Sequence, residues 1–176
     1  MNRLKLIDDI GLKITWKLIY IGLNGCGEIP KSIARGDIID FLSESLTEIN
    51  PETDKTIELI CNKDDDEQFN KLIKKYADAD ESDILLQKRK WVVCLFKVLI
   101  DNINKDCTQG LLELMEFWTT VGAGSSCPIV FPKKDNGSSV TEFFTEASYI
   151  MNLNKCRDWL VREINDIKNS EGKQCQ

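Results

Sequence analysis

Asp37, Asp40, Glu44 and Glu48 recur at helical spacing, and no other set of residues in the chain points so directly to chemistry. At about 100° per residue these four carboxylates fall within an arc of roughly 80° on one helix face. Ile38, Ile39, Leu42, Leu46 and Ile49 take the other side, and Phe41 lies beside the stripe. Like charges three and four residues apart repel by a few tenths of a kcal/mol per pair, and no lysine in the segment relieves them. Two readings are open. The stripe is either the solvated face of an acidic helix or a docking surface for a cationic partner, because complementary fields speed association and select partners. The docking reading is the expectation, with Asp64, Asp65 and Asp66 as supporting residues.

Other constellations point less far. The chain has no histidine, which excludes Ser-His and Cys-His nucleophilic pairs and removes the commonest general base near neutral pH. A zinc site would need cysteines or carboxylates alone, and no C-x-x-C pair exists to seed one. The run Asp64, Asp65, Asp66, Glu67 lacks the alternate spacing and the turn glycine of a calcium loop and reads as acidic charge at a helix N-terminus. The segment from Gly122 through Gly124 to Cys127 is a faint echo of a phosphate loop without its Gly-Lys-Ser/Thr ending. Ser125 and Cys127 have no base to activate them. The expectation is a binding protein, with no catalytic residues, no metal and no cofactor.

The charge is unevenly spread. From Asp37 to Asp83 the chain carries 15 acidic residues against five basic ones, a net −10, while the remainder has 14 acidic and 18 basic residues, a net +4. Such a surface suits a basic protein and repels phosphates, so nucleic acid is not expected as the direct ligand.

Helical punctuation positions these groups. Thr15 is a cap for a helix from Trp16 that Asn24, Gly25 and Gly27 end. An amphipathic helix is predicted over 33–49, with Gly36 its weak point, followed by a restart at Asn50 and Pro51 leading to a short helix through Cys61. Phe69, Leu72, Ile73 and Tyr76 share one face of a helix over 67–76. Ser82 or Asp83 caps the longest helix, over 84–103, which is apolar on nearly every side after Trp91 and therefore buried at the centre. Thr108 starts another, with Leu111, Leu112, Leu114, Met115 and Trp118 inward. Residues 121–136 are loop-like, with Ile129, Val130 and Phe131 a candidate short strand. Helices over 140–150 and 155–167 and a polar tail from Asn169 follow. The expected fold is all-α, an antiparallel array of about eight short helices around one buried long helix, with little or no strand. Residues 1–168 are expected as one helical domain and 169–176 as its tail, the loop over 122–136 offering the one internal boundary. The expected core includes Trp91, Leu95, Leu99, Leu112, Met115 and Trp159.

At 176 residues, 42% hydrophobic and 30% charged, the chain is long enough to bury a core without cross-links. The apolar run from Trp91 to Ile100 is too short to span a bilayer and contains Lys97. Asp8 and Asp9 interrupt any signal-peptide core. The seven cysteines are odd in number and widely spaced, and are read as reduced thiols. A cytoplasmic protein with no membrane contact is expected.

The segments Thr15–Gly22, Ile38–Leu42, Asn50-Pro51 and Lys90–Phe96 together resemble a family of small bacterial helical domains. That family is similar to the proteins encoded beside polymorphic toxins, as in contact-dependent growth inhibition systems. The resemblance spans the first two thirds of the chain and rests on structural motifs, a Trp opening one helix and a core Trp in another. It implies an immunity protein that binds one cognate toxin domain, often a nuclease, and covers its active site. It transfers no catalytic residue. The alternative is a cytoplasmic helical adaptor or scaffold with no toxin partner, and a third reading is an enzyme that uses carboxylates alone.

Overall fold

Side-chain caps set where the helices begin. Asn2 accepts the Leu4 N–H at 3.0 Å, Thr15 that of Leu18 at 3.2 Å, Asp65 that of Gln68 at 2.9 Å and Asp106 that of Gln109 at 2.9 Å. Each satisfies a backbone donor that the first turn leaves without an intrahelical acceptor. The computed structural model describes residues 2–45, 53–122, 127–130 and 143–173. Among them are eight helices: α1 (Arg3–Asp9), α2 (Trp16–Asn24), α3 (Arg35–Ser45), α4 (Thr53–Cys61), α5 (Asp66–Ala79), α6 (Ile84–Asn102), α7 (Cys107–Thr120) and α8 (Glu146–Lys173). No strand occurs among the described residues, where one isolated bridge pairs Cys26 with Ile29. The fold is all-α.

The chain divides into two compact units. The first runs from the N-terminus to Cys94 and takes in the chain again from Ile167; the second is Leu95–Asp166. The division falls within α6 and α8 rather than in the loop over 122–136. In the first unit α2 packs on α5, α1 on α3, and α4 on both α3 and α5. Its core holds Leu4, Ile7, Leu18, Ile38, Leu59, Phe69, Ile73 and Trp91, all essentially inaccessible. Trp91 donates its indole N–H to the Leu18 carbonyl at 2.8 Å, and its ring lies where a side chain on Gly22 would stand. Only glycine lets α2 come this close to that ring.

The second unit is built on aromatic packing. Phe96 stacks on Phe117 with centroids 4.8 Å apart and meets Trp118 and Trp159 edge-on at 4.8 and 5.5 Å. Such geometries add roughly 0.5–1.5 kcal/mol per pair beyond burial. Gly110 leaves room for the Tyr149 ring, whose hydroxyl donates to the Asn104 carbonyl at 2.9 Å. Buried Asn152 accepts the Val130 N–H at 2.9 Å and so ties residues 127–130 to α8.

Several sequence expectations are corrected. Arg3–Asp9 is a helix that periodicity did not suggest. The two C-terminal helices are one of 28 residues, continuous through Asn169 to Lys173, so the stretch expected as a tail is helical there. Trp91 and Trp159 are buried as expected, but Leu95, Leu99 and Met115 are half-buried and Leu112 is 43% exposed. The inward face of α7 is Gly110, Leu111, Leu114 and Trp118. Ile129 and Val130 form no strand. The expected helix end over 46–49, the Asn50-Pro51 restart, Gly124, Ser125, Phe131 and Cys175 lie outside the described residues.

Candidate functional site

The acidic stripe starts at a capping interaction. Asp37 is half-buried, its Oδ2 accepts the Ala34 N–H at 2.8 Å, and its carbonyl accepts from the Asn2 side chain at 2.7 Å. A carboxylate reaching back over the first turn is one half of a capping box, so Asp37 is committed to starting α3. Asp40 and Glu44 are exposed and Phe41 is half-buried. Glu44 pairs with Lys5 of α1 at 2.9 Å. That hydrogen bond, with the Glu44 charge, raises the Lys5 pKa above its ordinary value. The relief missing from α3 itself therefore comes from a neighbouring helix. Glu48 lies outside the described residues.

Asp64, Asp65 and Asp66 are all exposed. Asp65 is the cap of α5, and Asp66 is bonded to Arg35, whose guanidinium lies 6.0 Å from the Phe69 ring centroid. Arg35 belongs to the first turn of α3, so this pair brings the second acidic group to the end of α3 where Asp37 sits. The two groups nominated from sequence are thus joined in space. Of the 13 described carboxylates from Asp37 to Asp83, 11 are exposed. An excess of negative surface charge at this density projects a field beyond contact distance.

The sequence reading missed a second feature of the first unit, a polar cleft of about 400 Å³. Its floor is Leu86, Gln87 and Lys90 of α6, and its walls come from Lys13, Thr15, the segment Asp80–Ser82 and Glu171. Lys90 is 1% exposed. Its ammonium donates to the Lys13 carbonyl at 2.7 Å and pairs with Glu171 at 2.5 Å. Burial pushes the Lys90 pKa down, and the Glu171 hydrogen bond and charge offset only part of this. Burial acts on Asp80 in the opposite sense, raising its pKa, but donors from Lys17, Ser82 and Thr15 outweigh it and hold the carboxyl below its ordinary range. The Lys17 and Ser82 N–H groups stand 2.8 and 2.9 Å from its two oxygens. Gln87 is also 1% exposed, and its Oε1 has no hydrogen-bond partner.

A second hollow of about 280 Å³ shares Lys13, Thr15 and Asp80 with the cleft and adds Trp16, Lys55 and Tyr76. The Trp16 and Tyr76 rings lie 5.1 Å apart, with the Lys55 ammonium 5.6 Å from the Tyr76 centroid. Gln87 and Lys90 lie in the polar run of residues 87–90 that precedes the apolar part of α6, so the sequence does not set this cleft apart.

Among the described residues no group of three or more cysteines and carboxylates is placed to hold a metal ion, and no helix is long and apolar enough to cross a membrane. The six described cysteines are all free thiols. No curated protein and no solved structure matches the chain. A family model does match, over residues 4–166, and the chain belongs to that family, described as an uncharacterized protein conserved in bacteria (DUF2247).

Proposed function

We propose that this protein works by stoichiometric binding in the bacterial cytoplasm, taking a basic protein partner on the acidic surface of its first unit. The partner is a toxin domain of the nuclease class, and binding covers its active site. The observation that carries this reading is the exposure of 11 described carboxylates in a segment of net charge −10, with the Arg35–Asp66 pair joining its two groups. A nuclease lines its active site with cations that hold phosphates, and carboxylates on a rigid helix can take the place of that backbone. The resemblance to proteins encoded beside polymorphic toxins supports the choice of partner.

The structure changes which residues should be tested. Asp37 and Asp65 start helices, so substituting them confounds folding with docking. The informative variant is Asp40→Asn with Glu44→Gln and Asp64→Asn, all exposed. It is tested for binding to the C-terminal domain of the neighbouring gene's product and for protection of cells. Exposed ion pairs contribute about 0–1 kcal/mol each, whereas a carboxylate desolvated in a cationic pocket costs about 2–5 kcal/mol when truncated. The triple variant should associate more slowly, show a weaker salt dependence and protect poorly. A folded variant that binds and protects like the parent sinks the proposal.

A further inference from the structure

We infer that the cleft floored by Gln87 is a receptor for an arginine side chain of the protein partner, a site that rests on the binding function proposed above and extends it. The argument is an inventory of what the cleft leaves unsatisfied. Lys90 is neutralised by Glu171 and donates to the Lys13 carbonyl as well. Asp80 accepts from the backbone N–H groups of Lys17 and Ser82, one on each oxygen. What remains is acceptor capacity: the orphaned Gln87 Oε1, and exposed Glu81, which has no ion-pair partner among the described residues. With the Lys90–Glu171 pair cancelled, Asp80 and Glu81 outnumber Lys13, and the cleft keeps a net charge of −1. A buried acceptor without a donor is costly, so the group that fits is one rich in donors and positive.

An anion meets three carboxylates in the walls, Asp80, Glu81 and Glu171. Guanidinium presents five N–H donors in a planar fork and no acceptor. Its plane also suits an aromatic face, and the adjoining hollow supplies one in Trp16 and Tyr76, where Lys55 already sets a cation against the rings. An ammonium has the charge but neither the fork nor the plane.

The test titrates the full chain with Nα-acetylarginine amide and follows the NMR signals of the Gln87 side chain, Thr15 and Ser82. Nα-acetylcitrulline amide, neutral and of the same shape, and N-acetylglycine, an anion, are the comparison probes. The arginine probe should shift the cleft signals, the citrulline probe should bind at least tenfold more weakly, and the anion should not bind there. Gln87→Met removes the orphaned oxygen at similar volume; it should bind the arginine probe about tenfold more weakly while melting no lower than the parent. Should Gln87→Met fold poorly, Glu81→Gln on the rim should weaken the probe about threefold and Lys13→Gln should strengthen it. Equal binding of arginine and citrulline probes, preference for the anion, or undiminished binding by Gln87→Met overturns the inference. The triple acidic variant leaves the cleft untouched, so the two proposals fail separately. Loss of protection there with no probe binding refutes only the cleft, and normal protection with intact probe binding refutes only the acidic docking surface.

Discussion

Replacing Gly22 with alanine sets two physical effects against each other. Gly22 lies inside α2, where alanine is better than glycine by roughly 0.5–1 kcal/mol on backbone grounds. The new Cβ, however, would stand 2.1 Å from Trp91 Cζ2 and within 2.9 Å of two further ring atoms, distances that no carbon pair tolerates. Trp91 cannot swing aside, because it is fully buried and its indole N–H is fixed on the Leu18 carbonyl at 2.8 Å. Overpacking costs about 1–3 kcal/mol, and displacing the indole forfeits a hydrogen bond of about 1 kcal/mol. Net destabilisation of about 2–3 kcal/mol follows, which for a chain of this size lowers the melting temperature by about 5–10 °C. Urea denaturation followed by tryptophan fluorescence and circular dichroism measures it. The internal control is Gly36→Ala, where a Cβ meets nothing within 4 Å; there the backbone effect acts alone and should stabilise by up to about 1 kcal/mol. Combining Gly22→Ala with Trp91→Phe, which removes the offending ring atoms, should give a favourable coupling of about 1–2 kcal/mol. A Gly22→Ala protein as stable as the parent would refute the close packing of α2 against Trp91.

Lys90→Met should cost about 3 kcal/mol, because it leaves the Glu171 carboxylate without its buried partner. It should also change the pH profile. Lys90 has its folded pKa below the ordinary 10.5, so as pH rises through the folded value toward 10.5 the folded state sheds its proton first and the parent gains stability. Lys90→Met should lack that gain, and parallel profiles for the two proteins would contradict the assignment. Asp65→Ala should cost about 1 kcal/mol as the loss of a helix cap, seen in the same melts. Alkylation followed by mass spectrometry should find Cys61, which is exposed, modified first. Cys94 and Cys156, whose thiols burial pushes up to about 12, should stay unmodified until the protein unfolds.

Much of the fold was legible because the signals that mark it are local. Thr15 and Asp83 each stand where a cap is needed, and each caps. The misreadings share a cause, which is that a distant residue decided them. Arg3–Asp9 has only seven residues, too few for a helix to stand alone in water; its buried Leu4 and Ile7 hold it. The expected gap between residues 150 and 155 contains Asn152, whose side chain is occupied by Val130 and Ser148, and α8 runs through it. Leu112 lost its place in the core because the approach of Tyr149 and Asn104 to Gly110 fixes which side of α7 faces inward.

The same division explains the sites. Charge and its helical phase are properties of the sequence, so the exposed Asp40, Glu44 and Asp64 could be nominated from it. What each carboxylate already holds is a property of the fold. Asp37 and Asp65 spend their oxygens on backbone N–H groups within four residues, and the same residue types at the same helix ends serve both capping and docking. The cleft escaped altogether because its decisive partners are remote: Lys90 is balanced by Glu171, in a stretch whose polarity reads as tail, and Asp80 by donors at Thr15 and Lys17. Lys90 stands directly before the apolar run that starts at Trp91, and an ammonium is buried only where an anion is brought to meet it. That rule points to a partner for Lys90 somewhere in the chain without naming it. The folded helix α8 supplies it by carrying Glu171 back to the first unit.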